Sequence, residues 1–260
     1  MTIGLAIIAH AIRMLIHEPG TTIRVILPGL LMVLGSTIAS YFLIPETLAA
    51  MISSNPDDLL QVPPAHILVM FALGIAALVG YALMAIFWHR HVLLNGPDRS
   101  DLIRPSSSVI ANYIWRAIIV AFVQMLAAIP ILLGMAMLAA LIGGMARGGP
   151  ALLTSLLAGI AFVWVALRIS IILPAAAMGN RMRILESWTL SAPLTGAIFA
   201  ISALLSLLNI TVSVLAGLIL PDPGSLGLLV ETCIFLIEGL VFVSVLTTLY
   251  GHLVEGRPLG

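Results

Sequence analysis

Two glutamates sit where carboxylates are costly. Glu231 and Glu238 lie inside one apolar run, seven positions apart, which puts them on one face of a helix. An ionisable group at membrane depth costs about 2.5–3.5 kcal/mol on insertion scales and is retained where it faces protein or water. Counting ~1.5 Å per residue from Leu226, Glu238 falls ~18 Å deep, near the midplane, with Glu231 in the outer half. Arg168 lies in another apolar run, ~8 Å inside the end near Pro174, and its stem can reach several Å further. Contact between Arg168 and Glu238 is therefore expected, direct or through Gln124, with Asn209 as a second amide partner. Two roles stay open for this cluster. It is either a buried ion pair that fixes helix register, or a proton or ion path lined by Glu238, Arg168, Gln124 and Glu231. The first is the simpler, since no second acidic–basic relay is evident, and a buried pair by itself says little about stability.

Other candidates are weaker. Pro174 removes a backbone N–H and should leave carbonyls near Ser170 and Ile171 unpaired. Such broken ends build ion or substrate sites in transporters, but more often they mark a helix leaving the membrane. His89 and His91 alternate, and in a helix they diverge by ~200°. Beside Trp88 and Arg90 they read as an interfacial anchor rather than a metal pair. His66, His252, Tyr113, Trp115, Trp188 and Tyr250 take the same anchoring role. The chain carries no glycine-rich phosphate loop, no HExxH, no GxSxG and no acidic cluster for divalent metals. Its one cysteine, Cys233, excludes an internal disulfide and a cysteine-built metal site. No catalytic residue, metal or cofactor is expected, and the chain reads as non-enzymatic.

The elements that position these residues follow from composition. Of 260 residues, 61% are hydrophobic and 8% charged, where a soluble domain carries roughly 25% charged. Mean hydropathy is +1.19. A soluble fold could not cover its surface with so few charges. Formal net charge is zero, so no basic field suits nucleic acid. Every basic residue is Arg and none is Lys, the codon signature of a GC-rich bacterial genome. Met1 to Ile8 carry no positive n-region and no small-residue cleavage site follows, so a cleaved signal peptide is not expected.

Six stretches reach the ~20 apolar residues that a crossing helix needs: Thr22–Leu43, His66–Trp88, Tyr113–Gly143, Ala151–Leu173, Leu194–Leu220 and Leu226–Tyr250. Pro130 and Gly134 are kink points in the third. Breaks fall at Ile44-Pro45-Glu46, Asn55-Pro56-Asp57-Asp58, Asn95-Gly96-Pro97-Asp98, Gly143-Gly144 through Pro150, and Pro221-Asp222-Pro223-Gly224. Gly74, Gly80 and Gly134 to Ala140 permit close helix approach. The expected fold is all-α, one integral membrane domain over residues 1–260.

Orientation follows from arginine placement. The loops after spans two and four hold Arg90, Arg99, Arg104, Arg181 and Arg183, the loop after span three holds only Arg147, and those after spans one and five hold Glu46, Asp57, Asp58 and Asp222 and no Arg. Arg13, Arg24 and Arg257 flank the ends. Both termini should face the cytoplasm of a bacterial inner membrane. Three cytoplasmic segments look amphipathic and interfacial. In the first, Leu5, Ile8, Ile12 and Leu15 oppose His10, Arg13 and His17. In the second, Met182, Leu185 and Trp188 share a face away from Arg183, Glu186 and Ser187. The third and weakest spans Ser100–Tyr113. Each precedes a hairpin of two spans, so a parallel threefold repeat is a working hypothesis.

Arg168-Ile169-Ser170, Leu173-Pro174-Ala175 and Glu186-Ser187-Trp188-Thr189-Leu190 before a new span, with Tyr250 near the end, carry a resemblance. The pattern is similar to the six-span bacterial YciC-like membrane proteins and to the membrane domain attached to some glycerophosphodiester phosphodiesterases. It covers the second half well and the first only in layout. It implies an integral membrane domain without the phosphodiesterase, whose chemistry lies in a separate soluble domain, and no catalytic residue carries over. The leading expectation is a scaffold, lipid-interacting protein or accessory subunit whose partners are the bilayer and other membrane proteins. The alternative is a small transporter around Glu238 and Arg168. A cleft reaching Glu238 favours transport, and a dry ion pair favours the structural role.

Overall fold

The computed structural model describes residues 3–53, 56–60, 62–94, 104–141, 149–219 and 225–259. Among them all regular structure is helical. The order is α1 (Ile3–His17), α2 (Pro19–Leu43), α3 (Pro45–Ser53), α4 (Pro56–Leu60), α5 (Pro64–Leu93), α6 (Ser107–Leu141), α7 (Gly149–Ile169), α8 (Ile172–Ala177), α9 (Ile184–Leu190), α10 (Thr195–Ile219) and α11 (Ser225–Leu253), with a 3₁₀ turn at Ala192–Leu194. Six segments are long and apolar enough to cross a membrane: Pro19–Leu43, Pro64–Leu93, Ser107–Leu141, Ala151–Ala177, Ala192–Ile219 and Gly227–Leu253. This is an all-α polytopic membrane protein. The predicted turns at 95–98, 143–148 and 221–224, the segment 100–103, and the charges of Arg99, Arg147 and Asp222 lie outside the described residues.

Local chemistry sets the helix ends. Pro19 and Pro64 open α2 and α5, where a missing N–H costs nothing. Helix α6 runs through Pro130 to Leu141 as one element, a continuity that neighbouring groups make tolerable in membrane helices. Span four does break. Helix α7 ends at Ile169 and α8 begins at Ile172; Pro174, without an N–H, cannot serve the carbonyl of Ser170, four residues before it. The carbonyls there are not left open as predicted. Ser170 O accepts from Leu173 N at 2.9 Å and Ile171 O from Ala175 N at 3.5 Å, so a tighter turn absorbs the lost bond.

Helix α8 closes in a Schellman arrangement: Asn180 N donates to Ala175 O at 2.8 Å, Gly179 N to Ala176 O at 3.0 Å, and Gly179 takes φ +80°. The next carbonyl, Ala177 O, accepts from Arg90 Nη1 at 2.6 Å.

Helices α2 and α5 form the most extensive helix–helix contact, followed by α7 with α10 and with α6. The α2–α5 crossing is backbone on backbone: a Cβ on Gly80 would lie 2.8 Å from Gly29 O and 2.9 Å from Val33 Cγ2. Gly74 and Gly134, expected in the same role, face open space. They sit on the outward sides of α5 and α6, where small size serves no neighbour. The third hairpin differs. Helices α10 and α11 scarcely touch; α10 packs on α7, and α11 on α1 and α5.

The bundle is therefore uneven. Toward the end that holds both chain ends, Leu93, Leu167 and Leu249 are 2%, 0% and 0% exposed. At the opposite end Phe42, Leu141 and Ile219 are 74%, 83% and 73% exposed. The terms terminal half and distal half are used below for these two regions.

Helix α1 is tied into the terminal half. It buries Gly4, Ile7 and Ala11 against Ile198 and Ile201 of α10 and Val245, Leu246 and Leu249 of α11. A Cβ on Gly4 would come within 3.0 Å of Ala197 O. Of the predicted apolar stripe, Leu5 and Ile12 face outward, at 44% and 39% exposed, while Ile8 and Leu15 pack partly against the bundle. Gly4 and Ala11 flank the buried Ile7 in this contact, and Gly4 lets α1 sit close to α10. In α9 a polar residue takes the buried place. Leu185 is exposed and Ser187 is fully buried, because Ser187 Oγ donates to Arg168 O at 2.5 Å.

Candidate functional site

The residues expected to form one polar cluster occupy separate sites. Arg168, at the end of α7, makes no ion pair with Glu238. Its Nε donates to Ser191 Oγ at 3.1 Å and its Nη2 to Trp188 O at 2.8 Å. Its Cζ stands 3.8 Å from the Trp188 ring centroid and 5.1 Å from that of Trp164. The two indoles meet edge to face, 5.5 Å apart. Carbonyls at a helix C-terminus are unpaired acceptors at the negative end of the peptide dipoles, and an indole face attracts a cation. Backbone and aromatic groups thus supply what a carboxylate was expected to supply, and the buried pair is withdrawn.

The same solution recurs across the terminal half. Arg90 reaches Ala177 O, Arg116 donates to Met182 O, and Arg257, which also pairs through Nε with Glu255 Oε2 at 2.6 Å, donates to Leu93 O at 2.6 Å and Val92 O at 3.3 Å. Four arginines therefore each tie a carbonyl at or beyond the end of one helix to another element. Trp164 and Arg168 stand four apart in sequence, a spacing that places both on one helix face; this was the available sign of the stack. The backbone acceptors leave no sign in side-chain composition.

Several predicted interfacial anchors belong instead to the core. His89 is fully buried, with Nδ1 2.8 Å from Thr247 Oγ1 and its ring 6.1 Å from that of Tyr113. Trp88, Tyr113 and Tyr250 are 1%, 3% and 1% exposed, and Tyr250 OH accepts from Asn180 Nδ2 at 3.0 Å. Helix α5 extends beyond Trp88 to Leu93, so residues expected at its boundary fall inside the packed end. Trp115 does face outward, at 60% exposed. His66 accepts or donates across 3.0 Å to Thr47 Oγ1.

Gln124 bridges nothing between Arg168 and Glu238. Its Nε2 donates to Phe162 O at 2.8 Å, while its Oε1 is buried without a partner.

Glu238 lies in a cleft that the splaying of α10 and α11 creates. Its Oε2 accepts from Asn209 Nδ2 at 2.8 Å. Its Oε1 is buried without a hydrogen-bond partner. On the α7 side the cleft holds a cavity of about 430 Å³, lined by Gly159, Phe162, Ser206, Phe235, Glu238 and Phe242 among others. Toward the distal end a second cavity of about 310 Å³ continues it, sharing Asn209, Phe235 and Glu238 and adding Ser213 and Glu231. Ser206 is 4% exposed and its Oγ also lacks a partner. No basic side chain lines either cavity among the described residues. Of the predicted cluster the structure brings together Glu238, Asn209 and Glu231, and it sets Arg168 and Gln124 apart. Ser206 and the three phenylalanines were missed, because residues of those types are unremarkable in an apolar helix.

No protein-family model, no curated protein and no solved structure matches the chain. The cleft and the arginine-tied end must be interpreted from their own chemistry.

Proposed function

We propose that this chain is a non-enzymatic membrane protein that receives a membrane-borne ligand between α10 and α11. The observation that carries the reading is Glu238 at the floor of the cleft, bonded through one oxygen only. A buried carboxylate oxygen without a donor is costly unless something completes it. The cleft is mostly apolar with a few convergent polar groups, the usual make-up of a ligand site. Its walls are transmembrane helices, so a lipid-phase ligand can enter between them without crossing water.

The second reading is a small transporter. It is favoured by the same cleft reaching Glu238, and the packed terminal half would then have to open during the cycle. In either case we assign the protein to a bacterial inner membrane with both ends in the cytoplasm, on the arginine distribution and on the likeness to YciC-like proteins. Helix α1 then lies at the cytoplasmic surface, with Leu5 and Ile12 toward acyl chains and Arg13 and His17 toward headgroups. An accessory role beside other membrane subunits is compatible with this reading.

Two variants test ligand binding. Gly239 and Gly217 line the cleft, and a Cβ at either meets nothing within 4 Å. Gly239→Leu and Gly217→Leu should fill the cleft without a clash. Native mass spectrometry from mild detergent should find lipid-phase molecules retained by the wild type and lost from both variants. Equal retention would remove the proposal. For transport, flux in proteoliposomes should vanish in Glu238→Gln. For orientation, an impermeant thiol reagent should label Asp57→Cys from outside and leave Arg183→Cys untouched.

A further inference from the structure

The cleft has a chemical bias that narrows what it takes. Glu231 and Glu238 place two carboxylates along one wall, and no basic side chain faces them among the described lining residues. An anionic headgroup brought against that wall would meet like charge in a low-dielectric setting, where repulsion is strong. Phe162, Phe235 and Phe242 line the same space, with Phe235 also meeting Tyr81 of α5 edge to face at 5.4 Å. Aromatic walls with an acidic floor are the means by which proteins hold organic cations: ring faces attract the positive charge and the carboxylate neutralises it. Ser206 adds a 96% buried hydroxyl with no partner, one turn from Asn209 on the same cleft wall. A bare metal ion fits less well. Hard divalent cations take six or more oxygen ligands, and the described residues contain no group of three or more His, Cys, Asp or Glu able to hold a metal. The ~430 Å³ volume beside Glu238 also far exceeds what an ion needs.

We propose that the α10–α11 cleft binds lipid-soluble organic cations, with Glu238 as counter-charge, Asn209 holding its carboxylate in place, and Phe162, Phe235 and Phe242 as the walls. This rests on the cleft-binding reading above. Such a cation could be a free hydrophobic amine or the amine of a phospholipid headgroup; the recognition chemistry is shared.

The test uses the full chain in neutral detergent and a matched pair of probes, tetraphenylphosphonium and tetraphenylborate, which have nearly the same shape and opposite charge. Radiolabelled tetraphenylphosphonium should bind saturably, at least tenfold more tightly than tetraphenylborate. Glu238→Gln should weaken it at least tenfold, Asn209→Ala by less, and Gly239→Leu should abolish it. Glu238→Asp should keep part of the affinity. Each variant is compared only after it elutes as a monodisperse species with a melting temperature near wild type, and Glu238→Asp with Gly239→Leu still decide the matter if Glu238→Gln does not fold. Competition in nanodiscs separates the two sources. Displacement of the probe by phosphatidylethanolamine but not phosphatidylglycerol identifies a headgroup amine; displacement by neither identifies a free cation; both support the proposal. Equal binding of the two probes, or an unchanged affinity in Glu238→Gln, overturns it. If Gly239→Leu nevertheless removes binding in that case, the cleft is a site without charge preference and the broader reading survives. If Gly239→Leu also changes nothing, both readings fall.

Discussion

Arg168 and Glu238 each put a formal charge inside a span, and the two halves of the bundle handle it differently. In the terminal half Arg168 is 6% exposed, lies 3.8 Å from the Trp188 ring centroid with Trp164 5.1 Å away, and is bonded to Trp188 O and Ser191 Oγ. In the cleft Glu238 has one amide donor and one oxygen without a partner. The contrast teaches that opposite charges in neighbouring spans need not find each other. Helix C-termini already offer carbonyls of the right polarity to a guanidinium, and once those are used the carboxylate is left for other duties. Buried polar atoms without a partner occur in both halves, Trp88 Nε1, His89 Nε2, Trp164 Nε1 and Ser244 Oγ in the packed one; what sets the cleft apart is an unpartnered carboxylate oxygen beside a cavity.

The contrast can be broken by experiment. The largest effect is expected for Arg168→Leu, which removes two charge-assisted hydrogen bonds and the indole stack. It should lose ~3 kcal/mol or more of stability in a detergent unfolding titration, while Glu238→Gln loses less than ~1 kcal/mol. Comparable losses for both would erase the distinction. Next comes the α2–α5 crossing, where Gly80→Leu must displace the Gly29 backbone. A cost of ~1–3 kcal/mol is expected, and Gly74→Leu, on the open side of the same helix, serves as the near-neutral control. Third is Gly179→Ala at φ +80°. Left-handed backbone should cost it ~1 kcal/mol, read as a small fall in melting temperature, and no fall would mean that α8 closes in another way. The smallest effect is the sharpest check. Arg168 and Glu238 share no bonding partner, so the double variant Arg168→Leu/Glu238→Gln should be additive within ~0.5 kcal/mol. A coupling well above that would restore the ion pair.

Six spans were legible because long apolar runs interrupted by Pro, Gly and acidic clusters leave few other solutions for the backbone in lipid. Their ends were less legible. Helix α5 runs five residues past Trp88 to Leu93, since packing rather than lipid terminates it, and that shift moved His89 and Tyr250 from boundary to core. Glu238 and Asn209 could be matched in depth from the sequence, as polar residues in consecutive spans. What held Arg168 could not, because Trp188 O is backbone and has no letter of its own. The face that α1 turns to the bundle had no sign in the apolar stripe: Ile7 is buried there between Gly4 and Ala11, and at Gly4 the small residue lets the backbones approach.

The reach of Arg257 also bears on how the molecule is made. Its guanidinium meets the Leu93 carbonyl from 164 positions further along the chain, and Ile7 and Ala11 rest on Val245, Leu246 and Leu249 of α11. At translation speeds of ~5–20 residues per second, roughly 10–30 s separate the emergence of Leu93 from that of Arg257. Over that interval the end of α5 waits with open acceptors and α1 waits without its seat. Membrane insertion of the early spans therefore precedes closure of the terminal half, and a ribosome stalled before α11 would leave an intermediate whose α1 is open to proteases that the finished protein resists.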